Sequence, residues 1–352
     1  MSDLLRDLWY FAATSRELDR GGMFRREILG EPVLLGRDGQ GRAFALRDIC
    51  PHRAVPLSAG QLTQTGGVET VECPYHGWRF GTRDGVCKLI PSLVDGQNYE
   101  ADRIRVRHFP THEANGVVLI YVSSDPRFAD TPPAAPEFGL GELTTPKFVI
   151  DRIFAAAMDN AVVGLMDPAH VPYVHNQWWW RPPSSGRKLK EKRFVPRERG
   201  WAIERHQPAS NSLAYRWLFG GKVTTEICFM LPGFRWEVVE TPKARLFTLT
   251  CLTPENETST RITQVTYWRN APLLDVMKPI LIPAGREFLD QDGRMVDLQN
   301  SGLAYSPSML WIDDIDVQAK WYLKLKKEWR ASRDEKRDFV NPIEPTTLRW
   351  MS

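Results

Sequence analysis

Two short cysteine–histidine pairs constrain the fold of this 352-residue chain more than any other feature. Cys50 and His52 occur in the sequence CPHR, and Cys73 and His76 occur in CPYH. A loop with such a short spacing can supply two convergent ligands, and two such loops can enclose a metal centre. The sequence therefore predicts that two loops meet near residues 50–76.

Three interpretations of these pairs remain open from the residues alone. The first is a pair of unrelated turns. The second is a structural zinc site, although its usual spacing puts both cysteines in one pair and both histidines in the other. The third is a Rieske [2Fe–2S] centre, in which one iron takes two thiolates and the other two imidazoles, so mixed pairs suit it. Cys87 matches no ligand position and is expected to be a packed thiol.

A second cluster lies in MDPAHVPYVH, residues 166–175. Asp167 and His170 are three residues apart, so on a helix they share a face. His175 follows Pro172, on a turn that can fold back toward His170. One interpretation is two hydrogen-bonded histidines near a helix end. The other is a mononuclear non-haem iron site, which needs two histidines, one carboxylate and open positions for O2.

Asp292 is the candidate for the carboxylate. In GREFLDQDGRMVDLQN a largely apolar helical stripe comprises positions 285, 288, 289, 292, 296 and 299, whereas Asp290, Arg294 and Asp297 fall on the polar side. A carboxylate that faces a core without a partner is costly, so a cation is expected beside it. The alternative is that Asp292 lies in water at the edge of the stripe.

The pattern of strands and helices predicts a small all-β domain followed by a larger α+β domain. Hairpin signals occur over residues 31–48, and a buried closing strand over residues 114–124. Helical spacing and strand-like composition alternate after residue 150: helices are expected over 155–170, 273–300 and 316–330, and strands over 245–253 and 260–270. A proline-rich stretch separates the two halves, which gives expected limits of 1–122 for the first domain, 123–147 for the connection and 148–352 for the second domain.

Three motifs of the chain resemble those of a known enzyme family. CPHRAVPLSAG followed by CPYHGWRF resembles the Rieske signature of the Rieske non-haem iron oxygenases, and Gly77 with Trp78 fits the turn after the second pair. LMDPAHVPYVH resembles their D-x-x-H-x-x-x-x-H iron motif, and FLDQDGRMVDLQ resembles the segment that carries their carboxylate. The resemblance implies a [2Fe–2S] cluster and a mononuclear Fe(II), with the ligand sets Cys50, His52, Cys73, His76 and His170, His175, Asp292 respectively.

The resemblance also implies the architecture and the partners. It is closest to the vanillate O-demethylase-like single-subunit type, with an antiparallel sheet flanked by helices (START or helix-grip-like) in the catalytic domain. Asp167 would bridge His170 to His76 of a neighbouring subunit in a homotrimer, and a separate NAD(P)H-dependent reductase, with or without a ferredoxin, would supply electrons. One departure concerns an asparagine that many relatives have at position 164, which is Gly164 here. Asn160, one turn earlier, is the candidate for that active-site amide.

The expected activity is hydroxylation or oxidative demethylation of a small substrate with O2. Candidate pocket residues near the iron helix and on the sheet are Val162, Val163, Phe229, Met230 and Trp236, and the alternative for each is core packing. The run Trp178–Trp180 would line the substrate entrance or form a subunit contact. No cluster of arginines is evident, which favours a mainly apolar, aromatic or polycyclic substrate.

Charge and composition limit the remaining functions. A formal net charge of +3 gives no argument for nucleic-acid binding, and the sequence has no apolar run long enough for a membrane span and no signal peptide, so a cytoplasmic protein is expected. The odd count of five cysteines fits a reducing compartment. Rival functions are a Rieske-type electron carrier, a zinc-stabilised binding module, and a ring cis-dihydroxylating dioxygenase with a β subunit.

Overall fold

The structure is a computed structural model, and it describes residues 4–97, 99–125, 131–175, 189–207 and 223–351. The chain forms two compact units, Arg6–Glu137, and Met1–Leu5 together with Phe138–Ser352. The change from one unit to the other falls after residue 137, inside the segment 123–147 that was expected to connect the domains. As its prolines predict, the described residues of that segment form no helix or strand.

The N-terminal unit is built from short antiparallel strands. In chain order the elements are β1 (Leu8–Thr14), α1 (Ser15–Gly21), β2 (Phe24–Ile28), β3 (Glu31–Arg37), β4 (Ala43–Arg47), β5 (Gln61–Thr65), β6 (Val68–Glu72), β7 (Arg79–Gly81), β8 (Cys87–Leu89), β9 (Thr111–Ala114) and β10 (Val117–Val122). Over the described residues they form three sheets, with the orders β1–β10–β9, β2–β3–β4 and β5–β6–β7–β8. The predicted hairpin is confirmed as β3 and β4, and the predicted buried strand is β10.

One apolar cluster in this unit contains three of the five cysteines. Cys50, Cys73 and Cys87 are each only 2% exposed, and they pack with Phe44 and Phe80. The prediction that Cys87 is a packed thiol is confirmed, since its side chain belongs to this cluster and its pKa is raised by burial. All five cysteines are free thiols.

The C-terminal unit is an antiparallel sheet with helices. Its elements are β11 (Phe148–Phe154), α2 (Met158–Met166), α3 (Val171–Val174), β12 (Leu189–Arg197), β13 (Gly200–His206), β14 (Thr224–Met230), β15 (Phe234–Glu240), β16 (Arg245–Asn256), β17 (Ser259–Arg269), α4 (Pro272–Leu303), α5 (Val317–Asp334) and β18 (Thr346–Met351). Eight strands of the described chain pair in the order β11–β17–β16–β15–β14–β13–β12–β18. The expected all-β and α+β classes are therefore confirmed, as are the predicted strands at β16 and β17 and the predicted helices at α4 and α5.

The register of the sheet shows which side chains face the helices. Residues directly opposite each other in antiparallel strands lie on the same face. Trp201 of β13 is opposite Phe229 of β14, and their rings stack with centroids 4.5 Å apart. Both rings pack against α5, where Trp201 contacts Trp321 and Phe229 contacts Tyr322. The face that carries Trp201 and Phe229 is thus the helix-facing side of the sheet.

Helix α2 is tied to α5 by a buried ion pair. Lys326 of α5 donates to both carboxylate oxygens of Asp159 at 2.5 and 2.7 Å, and the Tyr322 hydroxyl donates to the same carboxylate at 2.9 Å. The Lys326 side chain is 6% exposed. Since α2 leads directly into the Asp/His cluster, this pair holds the start of that cluster against the rest of the unit. Among the described residues, no helix is long and apolar enough to cross a membrane.

Replacement of Asp159 by asparagine is expected to destabilise the C-terminal unit. The substitution would remove the carboxylate charge that faces the buried Lys326 ammonium, and breaking one side of a buried pair costs about 3–5 kcal/mol. Urea unfolding measures this loss as a lower transition midpoint. The double variant Asp159→Asn, Lys326→Met also removes the buried positive charge and should recover much of the loss. An unchanged midpoint for Asp159→Asn would contradict the role of this pair.

Candidate metal centres

The first cysteine–histidine loop is closed by its own backbone. Cys50 N donates to the Val55 carbonyl at 2.9 Å, and Ala54 N donates to the Cys50 carbonyl at 2.9 Å. Ala54 has a φ of 58°, a left-handed conformation that is strained for a residue with a Cβ. The chain therefore accepts local strain in order to close this turn.

The second loop repeats this hydrogen-bond pattern. Cys73 N donates to the Trp78 carbonyl at 2.8 Å, and Gly77 N donates to the Cys73 carbonyl at 3.0 Å. Gly77 has a φ of 71°, and a Cβ at this position would meet Pro91 at 3.1 Å. The expectation that Gly77 fits the turn is confirmed. The two loops therefore present their pairs in similar backbone frames, and this could not be read from the residue spacing.

The thiols of Cys50 and Cys73 are buried neighbours, and the imidazoles of His52 and His76 lie nearer the surface. The His52 and His76 ring centroids are 4.6 Å apart, and His52 stacks on Trp78 at 4.6 Å. Burial, together with the neighbouring Cys73, raises the pKa of the Cys50 thiol to about 11. His52 Nδ1 is buried without a hydrogen-bond partner in the described part of the chain. Two buried thiols and an unpartnered imidazole nitrogen are a donor set that fits a [2Fe–2S] centre.

The second centre joins residues that are far apart in sequence. His170 precedes α3 and His175 follows it, so that one turn of helix brings the two imidazoles together. Asp292 of α4 points between them, with its Oδ1 3.5 Å from His170 Nε2 and 3.4 Å from His175 Nε2. The potential ligand atoms of these three residues all lie within 4.8 Å of one another. The structure thus brings together the two histidines and the carboxylate that the sequence predicts.

Burial sets the protonation states at this centre. Desolvation lowers the pKa of His175 to about 4. Desolvation also lowers the pKa of His170, although the negative charge of Asp167 acts to raise it. Desolvation raises the pKa of Asp292 to about 7, and the positive charge of Arg235 opposes this rise. At neutral pH both imidazoles are therefore neutral and can act as ligands, while a divalent cation would stabilise the buried carboxylate. His175 Nε2 has no hydrogen-bond partner among the described residues, which also fits a metal ligand.

Gln291 is a residue of this site that the sequence analysis missed. Its Oε1 lies 3.0 Å from His175 Nδ1, and its Nε2 donates to Glu287 at 3.2 Å. Gln291 is 6% exposed, whereas Gln299, which was assigned to the apolar stripe, is exposed. The stripe was wrong in this detail because ideal helical spacing does not show which residues the neighbouring elements cover. The only signal in the sequence was an amide directly before Asp292.

Asp167 lies on the other side of His170. Its Oδ2 is 3.8 Å from His170 Nδ1, longer than a hydrogen bond, and its Oδ1 accepts from Ala169 N at 2.7 Å. The Asp167 side chain is 37% exposed, so it can face both the histidine and the surface. Asn160 is half-buried in the first turn of α2, and its role stays a prediction. At Gly164 a Cβ would meet nothing within 4 Å, so packing does not require a glycine there.

Two predicted pocket residues are placed elsewhere. Trp236 is adjacent to Arg235 in β15, so it projects from the opposite face of the sheet, where its ring packs edge-on against Phe138 at 5.6 Å. Met230 follows Phe229 and faces the same way as Trp236 by the same alternation. Trp236 and Met230 therefore do not lie on the helix-facing side, and their contact with a substrate stays a prediction. The sequence did not show which face of the strands the helices cover.

The other predicted pocket residues lie on the side of the helices. Phe229 is fully buried between Trp201 and Tyr322, so it serves core packing. Val162 of α2 is fully buried and Val163 is half-buried, and their contact with a substrate stays a prediction. The run Trp178–Trp180 lies outside the described residues.

Family comparisons match both halves of the chain. Residues 8–110 match the Rieske [2Fe–2S] domain, and residues 155–326 match the vanillate O-demethylase oxygenase C-terminal domain. The first match contains both cysteine–histidine loops. The second contains His170, His175 and Asp292.

Two curated relatives are oxygenase components. The chain is 36% identical to the oxygenase component of dicamba O-demethylase from Stenotrophomonas maltophilia over 176 residues. This match covers 49% of this chain and 48% of the relative. It is 30% identical to the oxygenase subunit of 3-chlorobenzoate-3,4-dioxygenase from Comamonas testosteroni over 179 residues. This match covers 50% of this chain and 39% of the relative. The chain spans less than half the length of these curated relatives.

A solved structure resembles nearly the whole chain. The QL mutant of NdmA from Pseudomonas putida CBB5 with theobromine superposes with a TM-score of 0.72 at 18% identity, and the match covers 97% of this chain and 96% of NdmA. This likeness shows a shared fold.

Replacement of Gln291 by leucine is expected to weaken metal binding at the Asp/His cluster. Loss of the amide leaves His175 Nδ1 without its partner, and outer partners of ligating histidines are typically worth 10- to 100-fold in metal affinity, so we expect a loss of about that size. Competition with a chelator for Co(II) measures the affinity. The matched control is Gln299→Leu, an exposed glutamine two turns further along α4. Equal affinities for the two variants would contradict the role of Gln291.

Metal binding to the cluster is expected to release protons in a pH-dependent way. Since the pKa of Asp292 is raised to about 7 without metal, it carries a proton below that pH and must lose it to act as a ligand. We expect release of about one proton at pH 6, about half a proton at pH 7 and almost none at pH 8.5.

Calorimetry with Co(II) in buffers of different ionisation enthalpy measures this release, on protein that has lost the metal of the Asp/His cluster only. The variant Asp292→Ala, which has no carboxylate to titrate, is the control. A release that does not change between pH 6 and pH 8.5 would contradict the raised pKa.

Proposed function

This chain belongs to the Rieske non-haem iron oxygenases, and we propose that it is a terminal oxygenase component that hydroxylates or oxidatively demethylates a small aromatic or polycyclic substrate. The observation that carries the proposal is the buried cluster of His170, His175 and Asp292, whose ligand atoms lie within 4.8 Å of one another. A Rieske electron carrier needs only the two cysteine–histidine pairs. Two histidines and one carboxylate are what an oxygen-activating iron requires in addition.

The residues of each centre have distinct roles in this proposal. The cluster would be held by Cys50 and Cys73 on one iron and by His52 and His76 on the other. The mononuclear Fe(II) would be held by His170, His175 and Asp292. When bound, the cluster supplies electrons one at a time, and the mononuclear iron supplies the site at which O2 reacts.

The protein prepares the mononuclear site before any metal binds. Its imidazoles are neutral because burial disfavours their protonated forms. The ring of His175 is held by the Gln291 amide on one edge and by Phe288, which stacks on it at 3.5 Å. Asp292 comes from α4, and both histidines flank α3. A mononuclear iron held by these three residues would keep open positions, as iron sites with two histidines and one carboxylate do.

Asp167 is proposed to link the centre to a second subunit. Its carboxylate faces His170 Nδ1, the nitrogen that does not point to Asp292, and it would orient that ring and accept a bond from the partner subunit's His76. His76 of the N-terminal unit is exposed, as such a contact requires. A homotrimer would supply the contact, and a separate NAD(P)H-dependent reductase, with or without a ferredoxin, would supply the electrons.

The overall reaction uses O2, two electrons and two protons. One oxygen atom enters a C–H bond of the substrate and the other leaves as water. If the attacked carbon bears oxygen or nitrogen, the hydroxylated product collapses and a methyl group is lost as formaldehyde. The likeness to dicamba O-demethylase favours this outcome. The second candidate is ring dihydroxylation, which the likeness to the subunit of 3-chlorobenzoate-3,4-dioxygenase favours.

Iron content and EPR separate this proposal from its rivals. Purified protein reconstituted with Fe(II) should carry about three irons per chain, and dithionite should produce a rhombic signal of low average g. Cys73→Ser should lose about two irons and the signal, and Asp292→Ala should lose about one iron and retain the signal. A wild-type chain that keeps only the cluster would be an electron carrier, and a colourless protein that carries zinc would overturn the proposal.

The role of Asp167 is tested in the same preparation. Asp167→Asn should keep all of its iron and its EPR signal but lower substrate-dependent O2 uptake by about 10- to 100-fold, because the variant leaves the proposed ligands in place and weakens the contact between the centres. Asp297→Asn, an exposed aspartate on α4, is the control. Normal uptake by Asp167→Asn would contradict the bridging role.

A further inference from the structure

Asp48 is a fully buried acidic residue beside the first cysteine–histidine loop. Its side chain is 0% exposed, and it lies two residues before Cys50. Asp48 N donates to the Pro32 carbonyl at 2.8 Å, which fixes the backbone just after β4. Because a carboxylate is costly to bury, its position is expected to serve either the fold or the adjacent site.

Both oxygens of the Asp48 carboxylate accept hydrogen bonds from Ser58. Ser58 N donates to Oδ1 at 2.7 Å, and the Ser58 hydroxyl donates to Oδ2 at 2.6 Å. An O–H···O distance this short is typical of an ionised carboxylate. Within the described ranges no lysine or arginine forms an ion pair with Asp48. A negative charge is therefore held in the interior of the N-terminal unit by neutral donors.

The turn that carries Ser58 contacts the approaches to both cysteine–histidine loops. This turn is a single 3₁₀ turn, Leu57–Ala59, and Leu57 is fully buried in the apolar cluster that contains the cysteines of both loops. Directly after the turn, a Cβ on Gly60 would clash with the carbonyl oxygen of Glu72, so only glycine permits this close approach. Glu72 is the residue before the second loop. The contact between Asp48 and Ser58 thus lies beside both pairs of candidate ligands.

We propose that the buried charge of Asp48 lowers the reduction potential of the [2Fe–2S] cluster and thereby makes the reduced cluster a stronger electron donor. Reduction adds one electron and hence one negative charge to the cluster, so a fixed negative charge nearby opposes it. Net charge is among the factors that set the potential of an iron–sulfur cluster. Asp48 would be a positioning residue that acts through its charge without ligating iron. The inference rests on the cluster of the proposed function and adds what tunes it.

The alternative is that Asp48 only braces the loop. A brace needs the two hydrogen bonds but no charge. Asparagine can make both bonds, because its amide oxygen accepts from Ser58 N and its amide nitrogen donates to the Ser58 hydroxyl, which can also accept. Asp48→Asn therefore keeps the brace and removes the charge, so the two roles predict different potentials.

A redox titration of the cluster-loaded chain tests the proposal, with the EPR signal of the reduced cluster as its readout. Asp48→Asn is expected to favour reduction by about 10-fold, since a unit charge roughly 10 Å away has an effect of this order at an effective dielectric constant of about 20. For a one-electron couple this corresponds to a midpoint potential about 59 mV higher. An unchanged or lower midpoint would overturn the proposal.

Asp38→Asn is the matched control. Asp38 is 4% exposed, but it forms an ion pair with Arg42 at 3.0 Å and lies before β4, at the opposite end of that strand from Asp48. Its replacement should leave the midpoint of the cluster unchanged. Equal shifts in the two variants would show a general response to the loss of a buried acid and would overturn the specific role of Asp48.

Ser58→Ala distinguishes the charge from damage to the loop. This variant keeps the carboxylate and removes the hydroxyl that partly balances it, so the midpoint should fall, opposite to the change in Asp48→Asn. Damage that admits water to the cluster would move both midpoints in the same direction and would overturn the proposal. If Asp48→Asn does not retain the cluster, Ser58→Ala decides alone, and an unchanged or higher midpoint in it would then overturn the proposal.

Iron content and O2 uptake of the same samples separate this inference from the proposed function. A midpoint that depends on Asp48, in a chain without mononuclear iron or O2 uptake, would retain the inference and overturn the oxygenase activity. A chain with both centres and O2 uptake, whose midpoint does not depend on Asp48, would retain the oxygenase activity and overturn the inference. A chain that binds no [2Fe–2S] cluster would overturn both.

Discussion

The catalytic unit depends on the burial of one carboxylate between two imidazoles. Asp292 lies 3.4–3.5 Å from the nearest nitrogens of His170 and His175, and desolvation, opposed by the charge of Arg235, raises its pKa to about 7. Neutral imidazoles cannot balance a negative charge, and Arg235 does so only in part. A folded chain that keeps this arrangement is therefore prepared for a divalent cation, whose charge is the missing contribution.

The surrounding elements hold this arrangement in place before metal binds. Asp159 at the start of α2 is fixed by Lys326 of α5, and Asp292 lies on α4, so three helices must pack on one face of the sheet for the ligands to meet. Gln291 then fixes the ring of His175. Rigid helices with buried polar contacts suit a site in which the ligands must be pre-organised. The two cysteine–histidine loops are held in place differently. Each loop is closed by the same pattern of backbone hydrogen bonds and contains one residue in the left-handed conformation.

Much of the fold and of the ligand set was predictable, and the errors have a common cause. The β3–β4 hairpin, β10, the β16–β17 pair and the two long helices follow from local periodicity, which depends on neighbouring residues only. The sequence did not show that Trp236 and Met230 lie on the face away from the helices, because alternation along a strand gives two sets of side chains without showing which set the helices cover. Gln291 was missed for the same reason, since its burial depends on elements that pack against α4.

The sequence by itself determined the two candidate ligand sets and the types of the elements that carry them. Short spacings such as Cys50 to His52, or His170 to His175, are set by the backbone within a single loop or turn, so they can be read directly from the sequence. Only the tertiary structure decided that Asp292 reaches His175 across more than a hundred residues, and that Trp201 and Phe229 share the helix-facing side of the sheet. Those relations result from the packing of the helices on one face of the sheet, and packing between distant segments leaves no periodic signal in the sequence.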